Sequence, residues 1–155
     1  MTLIELLTAL GITVLLLAIS LPIFIKQAKV GNIEASARVA EGFINRARNF
    51  AFNPNREFPA SYRVDLNSTD GKTIQATIYG DYYLTQDQTG SPLEEIVDQI
   101  SIPNATISSG PVSIDFEPIT GKANLVSGMP VTIQSTRTID KKIISINSLG
   151  NVEVQ

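Results

Sequence analysis

The sequence predicts an α+β fold in which a long N-terminal α-helix packs, through its amphipathic second half, against a C-terminal antiparallel β-sheet domain. Three observations lead to this prediction. Residues 3 to 25 are apolar almost without interruption, and residues 33 to 51 repeat apolar side chains every three or four positions. The rest of the chain alternates apolar and polar residues over short runs between turn clusters. The apolar first half of the helix is therefore expected to protrude.

The first predicted element is the apolar helix over residues 3 to 25, whose polar members are Glu5, Thr8, Thr13 and Ser20. At about 1.5 Å per residue it can just cross a bilayer core. A secretory signal peptide is disfavoured, because no basic region precedes the apolar run and no A-x-A cleavage site follows it. An ordinary signal anchor is the alternative, but it does not explain Glu5, since a carboxylate at membrane depth is costly and usually has a partner and a function.

Helical periodicity continues beyond the apolar run, with a predicted core face at Ile33, Ala37, Ala40, Ile44, Ala47 and Ala51. Glu34 and Arg38 have the spacing of an ion pair on the opposite face. The helix should end at Asn53, because the residue before Pro54 avoids the helical region. Pro22 removes a backbone donor and therefore predicts a kink or local melting of the helix.

The β domain should begin with a hairpin of residues 62 to 66 and 73 to 79, because Asp70-Gly71 is a strong turn signal between two alternating runs. A last short strand is expected after Gly150. The other predicted strands cover residues 96–102, 112–116, 131–135 and 142–146. Exposed loops are expected at residues 53–60, 81–92 and 125–130, because turn-forming and polar residues are frequent there.

The composition argues against an enzyme and against a cofactor. The chain has no Cys and no His, which removes thiolate chemistry and the commonest general base and metal ligand. Gly71-Lys72-Thr73 lacks the first glycine of a phosphate-binding loop, and Asp65, Asp70, Asp81 and Asp87 lack the EF-hand spacing. We interpret these aspartates as solvated turn residues. The net charge of -3 gives no indication of nucleic-acid binding.

One segment carries a specific resemblance. Thr2-Leu3-Ile4-Glu5-Leu6-Leu7, followed by an apolar run with Gly11 and then Pro22, resembles the mature N-terminus of a type IV pilin or of a type II secretion pseudopilin. The resemblance implies that a prepilin peptidase cleaves a leader before Met1 and that Met1 is then N-methylated. An initiator methionine is the alternative for Met1. The implied assembly residues are Met1, Glu5, Gly11 and Pro22.

The resemblance also implies a function, namely a structural subunit of a type IV pilus-like filament in which Glu5 pairs with the terminal amine of Met1 in a neighbouring copy. The implied partners are further copies of the chain, related minor pilins, the prepilin peptidase, an assembly ATPase and a membrane platform protein. The chain would reside in the cytoplasmic membrane before assembly and in an extracellular filament afterwards. The alternatives are a pseudopilin of a type II secretion system and a monomeric membrane-anchored binding domain.

This function divides the chain into two parts. Residues 1–28 would form the half-helix that lies in the membrane and then in the filament core. Residues 29–155 would form the globular domain, made of the amphipathic half-helix 29–53 and the β-rich part 54–155.

Overall fold

The computed structural model describes the backbone of residues 3–54, 57–84, 86–87, 90–127, 130–136 and 139–155, and the side chains of these residues except 18–32 and 125–127. Within these ranges one helix precedes nine strands. They are α1 (Leu3–Phe52), β1 (Pro59–Asn67), β2 (Thr73–Tyr82), β3 (Leu93–Pro103), β4 (Ala105–Ile107), β5 (Val112–Phe116), β6 (Ala123–Ser127), β7 (Val131–Ser135), β8 (Lys141–Ile146) and β9 (Val152–Val154).

The strands form two antiparallel sheets, which confirms the predicted α+β class. The five-stranded sheet has the order β3-β2-β1-β5-β6, and the four-stranded sheet has the order β4-β7-β8-β9. The predicted hairpin is β1 and β2, and the predicted strands 112–116 and 131–135 agree with β5 and β7. The prediction of a loop over residues 125–130 is wrong for its first part, because β6 extends to Ser127 by pairing with β5.

The second half of α1 packs against both sheets. Its buried apolar residues are Ile33, Ala37, Ala40, Phe43, Ile44, Ala47 and Ala51, and this face contacts β1 of the larger sheet and β7, β8 and β9 of the smaller one. Four of the seven are alanines, whose short side chains let the sheets approach the helix axis closely. Larger residues of the strands fill the remaining space, notably Val64, Leu66, Ile78, Ile114, Phe116, Ile133 and Ile144.

On the exposed face of this half-helix, an Arg38 guanidinium nitrogen donates a hydrogen bond to Glu34 Oε1 at 2.9 Å. The predicted ion pair is therefore confirmed. That bond, with the nearby Lys142 and Arg38 charges, lowers the pKa of Glu34. Because both side chains are well exposed, water screens the pair and it contributes little to stability.

The β1–β2 turn is organised by Asp70. Its carboxylate oxygen Oδ1 accepts hydrogen bonds from the backbone N–H groups of Lys72 at 2.9 Å and Thr73 at 2.8 Å. Gly71 follows with a φ of 64°, a left-handed conformation that favours glycine. The predicted turn at Asp70-Gly71 is thus confirmed. The two backbone donors lower the pKa of Asp70 below its ordinary value, because they stabilise the ionised carboxylate.

A prediction follows for Asp70→Asn, which keeps an acceptor oxygen but removes the charge. Since the folded-state pKa of Asp70 is lowered, its ionised form stabilises the fold above the ordinary aspartate pKa, and this contribution disappears as the pH falls through the lowered value. The variant should unfold at lower urea concentration than the wild type at pH 7. The difference should shrink below the ordinary aspartate pKa, and the two should converge in acid below the lowered pKa of folded Asp70. Asp87→Asn, at another exposed carboxylate, is the control. A difference that stays constant with pH would contradict the assignment.

Two turns hold the C-terminal end of α1. The N–H of Ile119, in the turn between β5 and β6, donates a hydrogen bond to the Ala51 carbonyl at 2.7 Å. Arg48 donates to the Leu149 carbonyl in the β8–β9 turn at 2.8 Å, and its guanidinium lies 5.1 Å from the centre of the Phe52 ring. One helix end is therefore fastened to both sheets. Ile119 has a φ of 69°, which is unfavourable for a β-branched residue.

Gly150 is required at this junction for two reasons, which a pair of variants can separate. Its φ is 78°, and a Cβ atom there would lie 2.4 Å from the carbonyl oxygen of Gly121. Gly110 has a similar φ of 84°, but a Cβ atom there would meet nothing within 4 Å. Gly110→Ala should lower the free energy of unfolding by about 1 kcal/mol through backbone strain alone. Gly150→Ala should cost about 1–3 kcal/mol more, because the backbone must also move.

The measurement is urea unfolding of both variants in detergent, followed by circular dichroism. Equal losses at the two glycines would show that the close approach of the two turns contributes nothing.

Candidate assembly surface of the N-terminal helix

The first fifteen described residues of α1, 3–17, form a surface that we call the apolar segment. All of their side chains are exposed. Ten of them are large and apolar, with exposed fractions between 53% for Leu17 and 80% for Leu3. Because a helix turns through all directions within four residues, exposure at every position means that no side of this segment is covered by the part of the chain that the structure describes.

The threonines of the apolar segment donate their hydrogen bonds within the helix. Thr8 Oγ1 lies 3.0 Å from the carbonyl oxygens of Ile4 and Glu5, and Thr13 Oγ1 donates to the Ala9 carbonyl at 2.8 Å. This is the usual way in which a hydroxyl on a helix avoids needing an outside partner. Both threonines can therefore face apolar surroundings at small cost.

The predicted assembly residues are only partly within the described region. Glu5 lies in the first turn of α1, where the positive end of the helix dipole favours a carboxylate. Gly11 is exposed, and a Cβ atom there would meet nothing within 4 Å. Met1 lies outside the described residues. Pro22 lies within the bounds of α1, but its side chain is outside the described set, so the pairing with Met1 and the kink stay predictions.

The apolar run predicted to cross a bilayer extends to residue 25, and the side chains of residues 18 to 25 lie outside those that the structure describes.

Among the residues that are described, no helix has both the length and the apolar character needed to span a membrane.

The polar face of the larger sheet carries a charge cluster around Arg63. The Arg63 guanidinium pairs with Glu94, lies 3.4 Å from Asp65 and sits 4.8 Å from the centre of the Tyr79 ring. Burial raises the pKa of Asp115 on the neighbouring strand, and the Arg63 charge partly offsets this rise. In the described part of the chain, no three acidic side chains are grouped so that they could hold a metal ion.

Sequence reasoning missed a groove beside β3. Its lining residues come from four elements. They are Phe50 on α1, Tyr62 on β1, Gly80, Asp81 and Tyr82 on β2, and Glu95, Ile96 and Val97 on β3. A glycine inside a strand can mark a place where other groups approach the backbone closely, so Gly80 was the available signal. The residues that surround it are distant in the sequence and could not have been grouped from spacing.

No protein-family model, curated protein or solved structure matches this chain.

Proposed function

We propose that this chain is a structural subunit of a type IV pilus-like filament and that it polymerises through the apolar segment of α1. The observation that carries the proposal is the exposure of ten large apolar side chains around a helix whose other half is anchored in a β domain. The resemblance of residues 2–7, Gly11 and Pro22 to the mature N-terminus of type IV pilins supports the same function.

The energetic basis is the transfer of the apolar segment out of water. Burial of one Leu or Ile side chain is favourable by about 1.5–3 kcal/mol of transfer free energy. A segment that is exposed on every side therefore requires an apolar environment around it. Membrane lipid would surround the segment before assembly, and the helices of neighbouring subunits would surround it afterwards. Since lipid is as apolar as leucine, the exchange from lipid to protein needs close packing, and Gly11 offers a place where a second helix backbone can approach.

Glu5 would set the register of that packing. A carboxylate moved into a medium of low dielectric constant loses several kcal/mol of hydration, and a nearby positive charge restores much of it. The resemblance implies that this charge is the amine of Met1 in a neighbouring copy. A shift of one helix along another would separate the two charges, so the pair would penalise incorrect stagger more than it would add to overall affinity.

In this proposal the β domain faces outward and the chain requires partners for assembly. The prepilin peptidase, assembly ATPase and membrane platform belong to the proposal because the resemblance implies them. The chain would pass from the cytoplasmic membrane into the filament, and residues 1–28 would be its core part. A secretion pseudopilin would use the same surfaces, but its filament would be short and would not reach the cell exterior.

The direct test is electron microscopy of material sheared from the cell surface and labelled with an antibody against residues 54–155. We expect label along the length of thin filaments, and none in a strain that lacks the chain. Recovery of the protein only as a membrane-bound monomer would support the tether alternative and overturn the proposal. Label confined to the cell envelope would instead indicate a pseudopilus.

A further inference from the structure

Two short motifs in the β domain share a pattern, namely an asparagine followed two positions later by a threonine. They are Asn67-Ser68-Thr69, which begins at the end of β1, and Asn104-Ala105-Thr106, which leads into β4. The middle residue is not proline in either motif. This pattern is the acceptor signal for N-linked glycosylation in proteins that leave the cytoplasm. The sequence does not distinguish the two motifs, because both satisfy the pattern.

The first motif lies at the surface of the domain. Asn67 is the last residue of β1, and the turn that follows it leads into β2 at Thr73. Asn67 and Thr69 are both exposed. Within the described part of the chain, neither the Asn67 carboxamide nor the Thr69 hydroxyl takes part in a hydrogen bond. Both groups that define the motif are therefore accessible from outside.

The second motif is held within the smaller sheet. Thr106 belongs to β4, which pairs with β7, and the neighbouring Ala105 is completely buried. The Asn104 carbonyl accepts a hydrogen bond from the Thr136 N–H at 3.2 Å. The Thr106 hydroxyl is also engaged, because its Oγ1 lies 3.0 Å from Ser68 Oγ. The same three-residue pattern is therefore much less accessible here.

A transferase must draw the motif into its own active site, so the ease of local opening decides which asparagine can react. Release of residues 67–69 disturbs only the last residue pair of the β1–β2 ladder and the Ser68 contact. Release of residues 104–106 would detach β4 from β7 and bring Ala105 out of the core. Exposed strand ends open at a lower free-energy cost than packed strands. The two motifs should therefore differ strongly as acceptors.

We propose that Asn67 is the acceptor of an N-linked sugar and that Asn104 stays unmodified. The donor is a sugar carried on a polyprenyl diphosphate. Asn67 Nδ2 forms a bond to C1 of the sugar, while the bond from C1 to the diphosphate oxygen breaks and its electron pair leaves with the diphosphate. One hydrogen of Nδ2 leaves as a proton and is accepted by a base of the transferase. The Thr69 hydroxyl positions the motif in the transferase and is not consumed.

This inference rests on the proposed function only for the location of the β domain outside the cytoplasm. The filament, the pseudopilus and the membrane-anchored alternative share that location. Sugar transfer does not require polymerisation, so the modification can be measured on chains extracted from membranes. A modified chain that forms no filaments would overturn the filament proposal and leave the acceptor assignment intact.

The test is mass spectrometry of the full-length chain, extracted in neutral detergent from membranes of the cells that produce it. We expect an added sugar mass that peptide fragmentation locates on Asn67. Asn67→Gln and Thr69→Ala should lose this mass completely, whereas Thr69→Ser, which keeps the hydroxyl, should retain it. An unmodified Asn67 in the wild-type chain would overturn the proposal.

Asn104→Gln is the matched control, because it makes the same substitution in the second motif. It should leave the added mass unchanged. Circular dichroism should show the same β-sheet signal in the wild type and in the Asn67 and Thr69 variants, since both positions are exposed. A sugar located on Asn104, or equal loss of the sugar from the two Thr69 variants, would also overturn the proposal.

Discussion

Replacement of Glu5 by alanine is expected to prevent ordered filaments, while the β domain stays folded and the protein stays in the membrane. In the proposed filament, removing one partner of a buried charge pair leaves the other charge uncompensated, at a cost of about 3–5 kcal/mol for each subunit. That cost is repeated at every subunit added. Filament yield, measured by electron microscopy and by the amount of sheared protein, should therefore fall by at least about 100-fold.

Two further variants separate charge from shape at this position. Glu5→Gln keeps the size of the side chain and should fail like alanine, whereas Glu5→Asp keeps the charge and should retain part of the yield. Thr8→Val is the control within the same segment, because the Thr8 hydroxyl already bonds within its own helix. A normal filament yield from Glu5→Ala would eliminate the register role of this carboxylate.

Deletion of residues 1–28 is expected to produce a soluble, folded monomer. The described side chains that this deletion removes, residues 3–17, are all exposed, and Ile33 is the first buried residue among the described side chains of the helix. The core should therefore survive, with cooperative urea unfolding and the β-sheet signal of the full chain. Size-exclusion chromatography should give the mass of one copy. Filament formation by the truncated chain would show that the polymer core lies elsewhere.

A core substitution in the truncated chain checks that its unfolding reports on the helix–sheet contact. Ile44 is completely buried, and Ile44→Ala should lower the free energy of unfolding by about 2–5 kcal/mol. Val39→Ala, at an exposed position of the same helix, should have little effect. If the two substitutions behaved alike, the half-helix would no longer be packed on the sheets after the deletion.

Local patterns were sufficient to predict the packed second half of α1 and most strands, because each leaves a periodic signal in a short stretch. The buried positions Ile33, Ala37 and Ala40 follow the expected helical spacing, and β5 and β7 follow strict alternation. The three-residue strand β4 is too short to show a period. The strand β6 depends on pairing with β5, so its residues resemble a loop when they are considered alone.

The two candidate sites also differ in whether a local sequence pattern predicts them. Glu5 is conspicuous in the sequence because it is a charge in an apolar run. The groove beside β3 could not be predicted, since it depends on a register shift at Val97 and on the stacking of Phe50 over Tyr62. Both are consequences of how distant segments meet, and neither has a local pattern.

The double attachment of the C-terminal end of α1 has a mechanical consequence. A pull on α1 along its axis would load the buried face from Ile33 to Ala51 in shear, so its contacts would resist together rather than peel apart in sequence. The final load would fall on the Ile119–Ala51 hydrogen bond and on the Arg48 clamp, which anchor the helix to separate sheets. Rupture at one anchor would leave the other in place. The domain should therefore withstand tension better than its modest size suggests, because its rate of forced unfolding depends on both attachments failing.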